Sequence, residues 1–408
     1  MAEPYLDAAR RNGLQIAVVD TAGRLATLAE RYPLIDQEVL PDGEAGHETG
    51  WVRPALALAA RLAAGGERWG CLAFSEPHVL AAALVQDTYG IPGPGMRAAL
   101  TSRNKALQRA QLDGIVDQPE HLLASSITDA APWLQEHLPA VVKPLDGMGS
   151  HGVERVVAPS DIEDVVARRG VEGPVLCETY VEGQEYSVEA LVVAGEPVLT
   201  NLTHKTTQDQ KHFVEVAHRV GFEVVDPALA EVACGALRQV LSHLGVRDAM
   251  MSMEFRESGE RVVVMETMVR MPGDHLMEAI SRAYDRDLYA AHIQAALGIE
   301  TPSLERFPHV RRPDQVGGRY GTCFLVAHRR GALQGIEWGE LRTSAGVVRW
   351  GERFPPGHQV QPAESSADRV AYAIVRAADD AALSHLLDDL LDPARILIND
   401  QQEQKGLP

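Results

Sequence analysis

Two extended stretches joined around Ser258-Gly259 make Met250 to Met271, MMSMEFRESGERVVVMETMVRM, the most constraining part of this chain. Each stretch carries one central glutamate, Glu254 in the first and Glu266 in the second. Side chains alternate faces along a strand, so the turn decides whether the two carboxylates can meet. A three-residue loop, Ser258 to Glu260, sets Glu254 opposite Val264 and keeps Glu266 on the same face one diagonal away. That is roughly 7–8 Å between backbones, close enough for both acids to chelate Mg2+. A two-residue loop sets them on opposite faces. The alternative to a metal site is an exposed hairpin face with solvated acids. Met251, Met253 and Met265 read as core filler.

The remainder of the chain alternates strand and helix before becoming strand-rich. Leu14 to Asp20 (LQIAVVD) reads as a buried strand, followed by a helix over TAGRLATLAERY. Ala55 to Glu67 is helical, Cys71 to Ser75 (CLAFS) is strand-like, and PHVLAAALVQDTYG is a helix closed by Gly90. This alternation predicts a parallel α/β sheet over the first hundred residues. No G-x-G-x-x-G follows the first strand, so a dinucleotide fingerprint is absent there. IPGPG, Ile91 to Gly95, reads as a linker. A helix over TSRNKALQRAQLDGI is expected to start at Thr101 or Ser102 and to carry Lys105. Ser160 and Glu163 form a capping box before IEDVVARRG. VLCETYV, EYSVEALVV and EPVLTNL are strands, the last two joined at Ala194-Gly195 as a hairpin. Asp226-Pro227 opens a long helix with Leu229, Val232, Ala236, Val240 and Leu244 on its apolar face, and Gly245 ends it.

A second feature raises a chemical question. VVKPLDGMGSHGV, Val141 to Val153, places Lys143 ahead of Gly147, Gly149 and Gly152, with Ser150 among them. Backbone N–H groups in such a loop can wrap an anion, yet the chain carries a formal charge of -19. That charge disfavours nucleic acid and anionic lipid as partners, so any phosphate bound here is expected to be small and accompanied by a cation. The loop is not a P-loop, since its lysine precedes the glycines; a mobile hairpin turn is the plain alternative. Cys71, Cys177, Cys234 and Cys323 show neither C-x-x-C pairing nor metal-ligand spacing, which fits reduced thiols in a cytoplasmic setting. No apolar run approaches the ~20 residues needed to span a bilayer, and no targeting signal is seen. The 408 residues exceed what one hydrophobic core supports, so two to four subdomains are expected.

In order, Lys105, KPLDGMGSHGV, ETYVEGQEYSVE, Lys205, and Glu254 with Glu266 ending in E-x-x-x-R at Arg270 resemble the ATP-grasp superfamily, and within it the carboxylate-amine ligases that include L-amino acid ligases. The resemblance implies an α/β ATP-grasp fold with an N-terminal Rossmann-like domain (1–100), a small ATP-grasp subdomain with a glycine-rich lid (101–180), a large subdomain with the metal site (181–300), and a C-terminal subdomain closing the substrate pocket (301–408). It implies ATP and Mg2+ as cofactors. Lys105 and Lys143 would hold the α- and β-phosphates, with Gly147, Gly149, Ser150 and Gly152 folding over the β- and γ-phosphates. Glu178 and the backbone near Val181 would read adenine, Glu185 the ribose, and Lys205 would lie near the γ-phosphate. Glu254 and Glu266 would bind Mg2+, and Arg270 would stabilise the tetrahedral intermediate. Glu215, His218, Gly273 and Asp274 would face amino acid substrates. The implied reaction joins two amino acids through an acyl phosphate, with ADP and phosphate released; a catalytically degenerate ATP-binding protein, or another ligase or carboxylase on the same scaffold, are the alternatives. No nucleic acid or membrane partner is implied, and a homodimer is left open. Two departures stand out. Met268 occupies the place of the Asn in the usual E-x-N-x-R, and Asn104 the place of an aspartate often found before the first lysine.

Overall fold

The computed structural model describes residues 3–169, 173–208, 211–221, 226–299 and 318–399. The N-terminal part runs α1 (Glu3–Arg11), β1 (Ile16–Asp20), α2 (Ala22–Ala29), β2 (Leu34–Val39), α3 (Glu48–Ala64) and α4 (Val79–Tyr89). Its sheet is smaller than the alternation suggests. Among the described residues only β1 and β2 pair there, in parallel, and Cys71 to Ser75 forms no strand. Helix α3 begins at Glu48, ahead of the expected start at Ala55.

α5 (Met96–Arg103) and α6 (Lys105–Leu112) replace the single helix expected from Thr101. The break is Asn104, whose extended backbone (φ -136, ψ 111) ends one helix while its side-chain oxygen accepts the Leu107 N–H and starts the next. Lys105 is thereby the first residue of α6.

A four-stranded antiparallel sheet follows, built from β3 (His121–Ala124), β4 (Ala140–Pro144), β5 (Glu154–Val156) and β6 (Val175–Thr179) in the order β3-β6-β4-β5. α7 (Ile127–Glu136) and α8 (Pro159–Arg169) pack together on it. No Ser160–Glu163 capping box forms. The carboxylate of Asp161 instead accepts the N–H groups of Val157 and Ala158, capping α8 from inside its first turn.

The main sheet comprises β7 (Glu185–Val193), β8 (Glu196–Thr207), β9 (Glu215–Val220), β10 (Ala249–Ser258) and β11 (Arg261–Met268), with α9 (Pro227–Leu244) across one face. Beyond it come α10 (Leu276–Ala283) and α11 (Leu288–Ala296), then β12 (Arg319–Val326), β13 (Gly331–Ile336), β14 (Val347–Glu352), β15 (Gln359–Val360), β16 (Arg369–Ala377), α12 (Asp380–Leu390) and β17 (Ile396–Asn399). The strand order is β11-β10-β7-β8-β9-β12-β16-β14, so the C-terminal region extends the same sheet, and β15-β13-β17 form a small sheet beside it. The hairpin between β7 and β8 turns at Ala194-Gly195, both with positive φ, as a two-residue turn matching sheet twist requires. On α9 the buried stripe runs through Leu229, Ala233, Leu237, Val240 and Leu244, whereas Val232 is exposed.

Period-2 patterning divides the main sheet chemically. Tyr186, Val188, Ala190, Leu202, Met251, Met253 and Phe255 pack under α9. The intervening positions are polar and form the opposite face. There Glu189, fully buried, accepts from Ser187, from Asn201 Nδ2 at 2.7 Å and from Thr203 Oγ1 at 2.7 Å, a satisfied network that offsets the cost of burying a carboxylate.

Candidate functional site

Glu254 and Glu266 stand directly opposite each other in the β10–β11 ladder. The turn is the two-residue Gly259-Glu260, since Ser258 pairs with Arg261. With an uninterrupted ladder that turn would separate the two acids. A β-bulge intervenes: Phe255 pairs with Val264 but Glu254 with Glu266, leaving Met265 as the extra residue. One inserted residue reverses the face of everything beyond it. Sequence spacing alone could not reveal this.

Lysines meet these acids from two directions. Lys205 Nζ, on β8, lies 2.6 Å from Glu254 and 2.7 Å from Glu215 on β9, with Glu185 on β7 at 3.6 Å. Lys105 Nζ, delivered by the Asn104 break, donates to Glu266 at 3.0 Å and to the Gly147 carbonyl at 3.1 Å. Carboxylate oxygens of Glu185, Glu215 and Glu254 lie within 4.8 Å of one another. Burial, together with Glu215, Glu266 and Glu185, pushes Glu254 up to about 7 against the pull of Lys205. Lys205 itself is held well above its ordinary range: burial opposes its charge, and Glu215, Glu254 and Glu185 outweigh that. This all-oxygen, acid-rich set fits a hard divalent cation such as Mg2+.

The glycine loop joins β4 to β5. Gly149, Ser150 and Gly152 have positive φ, and Ser150 Oγ donates to the Phe213 carbonyl at 3.1 Å. Lys143, on β4, points to Glu178 on β6 at 2.6 Å, and Arg109 of α6 reaches the same carboxylate at 2.7 Å. Burial would raise the Glu178 pKa, but Arg109 and Lys143 hold it at about 2. This carboxylate is fully buried and committed to two cations. Val181, just past β6, offers its carbonyl to Arg256, which also pairs with Glu185 at 3.1 Å.

Arg270 follows β11. Its Nη2 donates to Glu76 at 2.7 Å and to the Met268 sulfur at 3.3 Å, its Nη1 donates to the Met271 carbonyl, and its Nε is buried without a partner. Met268 therefore steadies Arg270 from the position where the resemblance expects Asn. Burial draws the guanidinium below its ordinary range, while Glu266, Glu254, Asp274 and Glu215 oppose the shift. Glu76 is almost fully buried and also binds Arg103.

His218 and Asp274 form a pair at 3.0 Å. Arg369, at the start of β16, donates to Asp274 at 2.7 Å and to Glu215 at 3.1 Å. Burial would raise Asp274, but Arg369 and His218 hold it well below the usual carboxylate range. Gly273 lies at the turn into α10, its carbonyl accepting the Leu276 N–H, and both Asp274 and His275 adopt positive φ. For side chains with a Cβ this is an expensive backbone, of the kind that collects at functional sites.

All of Lys105, Lys143, Lys205, Glu185, Glu215, Glu254 and Glu266 thus belong to one connected set of charges around the polar face. Glu76, Arg109, Arg256 and Arg369 were not singled out from the sequence. No periodicity or motif spacing in the sequence marks any of them, because their partners lie in distant segments.

Residues 136–277 match the family model of an ATP-grasp domain, and residues 323–398 match L-amino acid ligase C-terminal domain 2. Among solved structures, an L-amino acid ligase from Bacillus licheniformis superposes with a TM-score of 0.76 at 18% identity, covering 97% of this chain and 95% of that one. A phosphoribosylglycinamide synthetase from Anaerococcus prevotii gives 0.69 at 14% identity, covering 97% and 96%. At these identities the likeness is one of fold. Two curated relatives are each 26% identical: an uncharacterized protein of Sinorhizobium fredii over 310 residues, 71% of this chain and 63% of that protein, and dapdiamide A synthase of Enterobacter agglomerans over 183 residues, 42% and 43%. The chain thus spans less than two thirds of the curated relatives it matches.

Proposed function

We propose that this chain, an ATP-grasp protein carrying an L-amino acid ligase C-terminal domain, is an ATP-dependent carboxylate-amine ligase that joins two amino acids by a peptide or γ-glutamyl amide bond. The observation that carries the reading is the in-register pair Glu254 and Glu266, met by Lys205 and Lys105 beneath the glycine loop.

Mg2+ would be held by Glu254 and Glu266, with Glu185 and Glu215 nearby, and when bound it would neutralise charge on the triphosphate. Lys105, engaged by a partly exposed Glu266 that an anion could displace, and Lys143, kept in position by Glu178, would hold phosphate oxygens. The backbone near Val181 is the part of the hinge suited to an adenine edge, while Glu178 acts by orienting Lys143. Glu185 remains suited to the ribose, and Lys205 to the γ-phosphate end.

The chemistry follows from the weak electrophilicity of a carboxylate. Transfer of the γ-phosphoryl group to it forms an acyl phosphate; an amine then attacks, and phosphate leaves. Arg270 would stabilise the oxyanion of the tetrahedral intermediate, with Glu76 and Met268 fixing its guanidinium. Glu215, His218, Gly273 and Asp274 would face the amino acids, with Arg369 positioning Glu215 and Asp274.

A screen of amino acid pairs for nucleotide turnover tests the reading. ADP and phosphate should appear only when a carboxylate and an amine substrate are both present. AMP and pyrophosphate as stoichiometric products would exclude an acyl-phosphate route.

A further inference from the structure

The tip of the glycine loop is held from the C-terminal region. The Gly149 carbonyl accepts the Ser366 N–H at 2.9 Å. A Cβ on Gly149 would stand 3.1 Å from Ser366 Cβ, and its φ is +61, so the contact is shaped for glycine. The partner turn is rigid without the loop. Asp368 accepts from the N–H groups of Glu364 and Ser365, Ser365 Oγ accepts from Ala367 N–H, and Arg353 donates to the Ser366 carbonyl at 2.9 Å. At its end, Arg369 grips Glu215 and Asp274.

We propose that Ser366 is a positioning residue whose backbone N–H latches the glycine loop closed, and that the turn from Ser365 to Arg369 ties this closure to the substrate-facing carboxylates Glu215 and Asp274. The proposal rests on reading the loop as a nucleotide lid. It makes the two ends of the reaction mechanically dependent: the lid docks on the same short turn that arranges the amino acid end, so phosphoryl transfer to water is suppressed while that end is disordered.

The test uses hydrogen exchange of the loop, Gly147 to Gly152, with Mg2+ and a non-hydrolysable β,γ-methylene ATP analogue. In the wild type the analogue slows exchange. Ser366→Pro removes the donor at the first position of a short 3-10 turn, where proline is tolerated, and Ser365 already has the extended backbone that a residue before proline prefers (φ -155, ψ 167). Exchange in this variant should be faster by roughly five- to tenfold, the size of one net hydrogen bond. ATP consumed per amide formed should rise, with thermal unfolding unchanged. Ser366→Ala, which keeps the N–H, should protect the loop as the wild type does. If Ser366→Pro does not fold, Gly149→Ala should give the same loss, because a Cβ 3.1 Å from that of Ser366, on a backbone with φ +61, strains the loop at its contact with Ser366. Wild-type protection in the proline variant, or in Gly149→Ala where that variant stands in, overturns the latch. No protection by the analogue in the wild type sinks the nucleotide reading itself, and the latch with it.

Discussion

Glu178 is a buried carboxylate shared by two cations. It lies between Lys143 and Arg109, and losing its charge would leave two cations facing one another in the interior. Glu178→Gln should therefore destabilise the protein by about 3–5 kcal/mol at pH 7, the range for breaking a buried pair. The sign of the pH dependence follows from the depressed pKa. Held at about 2 in the folded state against an ordinary 4.5, Glu178 contributes stability fully above the ordinary value and loses it as pH falls through the folded one. Urea unfolding of wild type and variant should show the gap constant from pH 6 to 7 and narrowing toward pH 3; a gap independent of pH would contradict the ion-pair account. Arg270 makes a different prediction. Arg270→Ala should bind Mg-ATP almost as the wild type does yet lose ~10²–10³ in amide formation, the cost of one oxyanion donor. Equal loss of nucleotide binding and turnover would make it a ground-state contact instead.

At the scale of elements, the site depends on interruptions in regular structure. Asn104 breaks one expected helix into α5 and α6, and only that break sets Lys105 within reach of Gly147 and Glu266. Aspartate caps as well as asparagine, so Asn104→Asp should leave stability and nucleotide affinity nearly unchanged. Asn104→Ala should cost about 0.5–2 kcal/mol and weaken nucleotide binding, measurable by thermal unfolding and titration calorimetry; full affinity with a lost cap would uncouple the helix start from Lys105. The bulge at Met265 is the strand counterpart. It reconciles a two-residue turn with a shared face for Glu254 and Glu266.

For the molecule as a whole, the C-terminal region is part of the main sheet. β12 pairs with β9, Thr322 lying opposite His218, and Tyr320 and Ile374 pack in one core with Tyr5, Leu276 and Ile280. A chain ended at Ile299 should leave the β9 edge and that core open to water and so lose cooperative unfolding and aggregate. A soluble, cooperatively folding fragment would show that the region is a separable module. No helix among the described residues is long and apolar enough to cross a membrane.

Local chemistry made much of this legible in the sequence. Alternation in EYSVEA and MMSMEFRE carries the division of the sheet into an apolar face under α9 and a polar face, because a strand's side chains have period 2 whatever surrounds it. The positive-φ turn at Ala194-Gly195, the helix Pro227–Leu244 with its Gly245 cap, and a lysine strand running into a glycine loop are likewise local, and so were visible. Tertiary structure alone decided the rest. Whether Glu254 and Glu266 meet depended on a bulge that packing selects, not on residue type. Glu76 reaches Arg270 across 194 residues of chain, and Arg369 reaches Asp274 across 95. A salt bridge between distant segments leaves no periodicity and no spacing in the sequence; it exists only once burial has brought the charges together and made their separation costly.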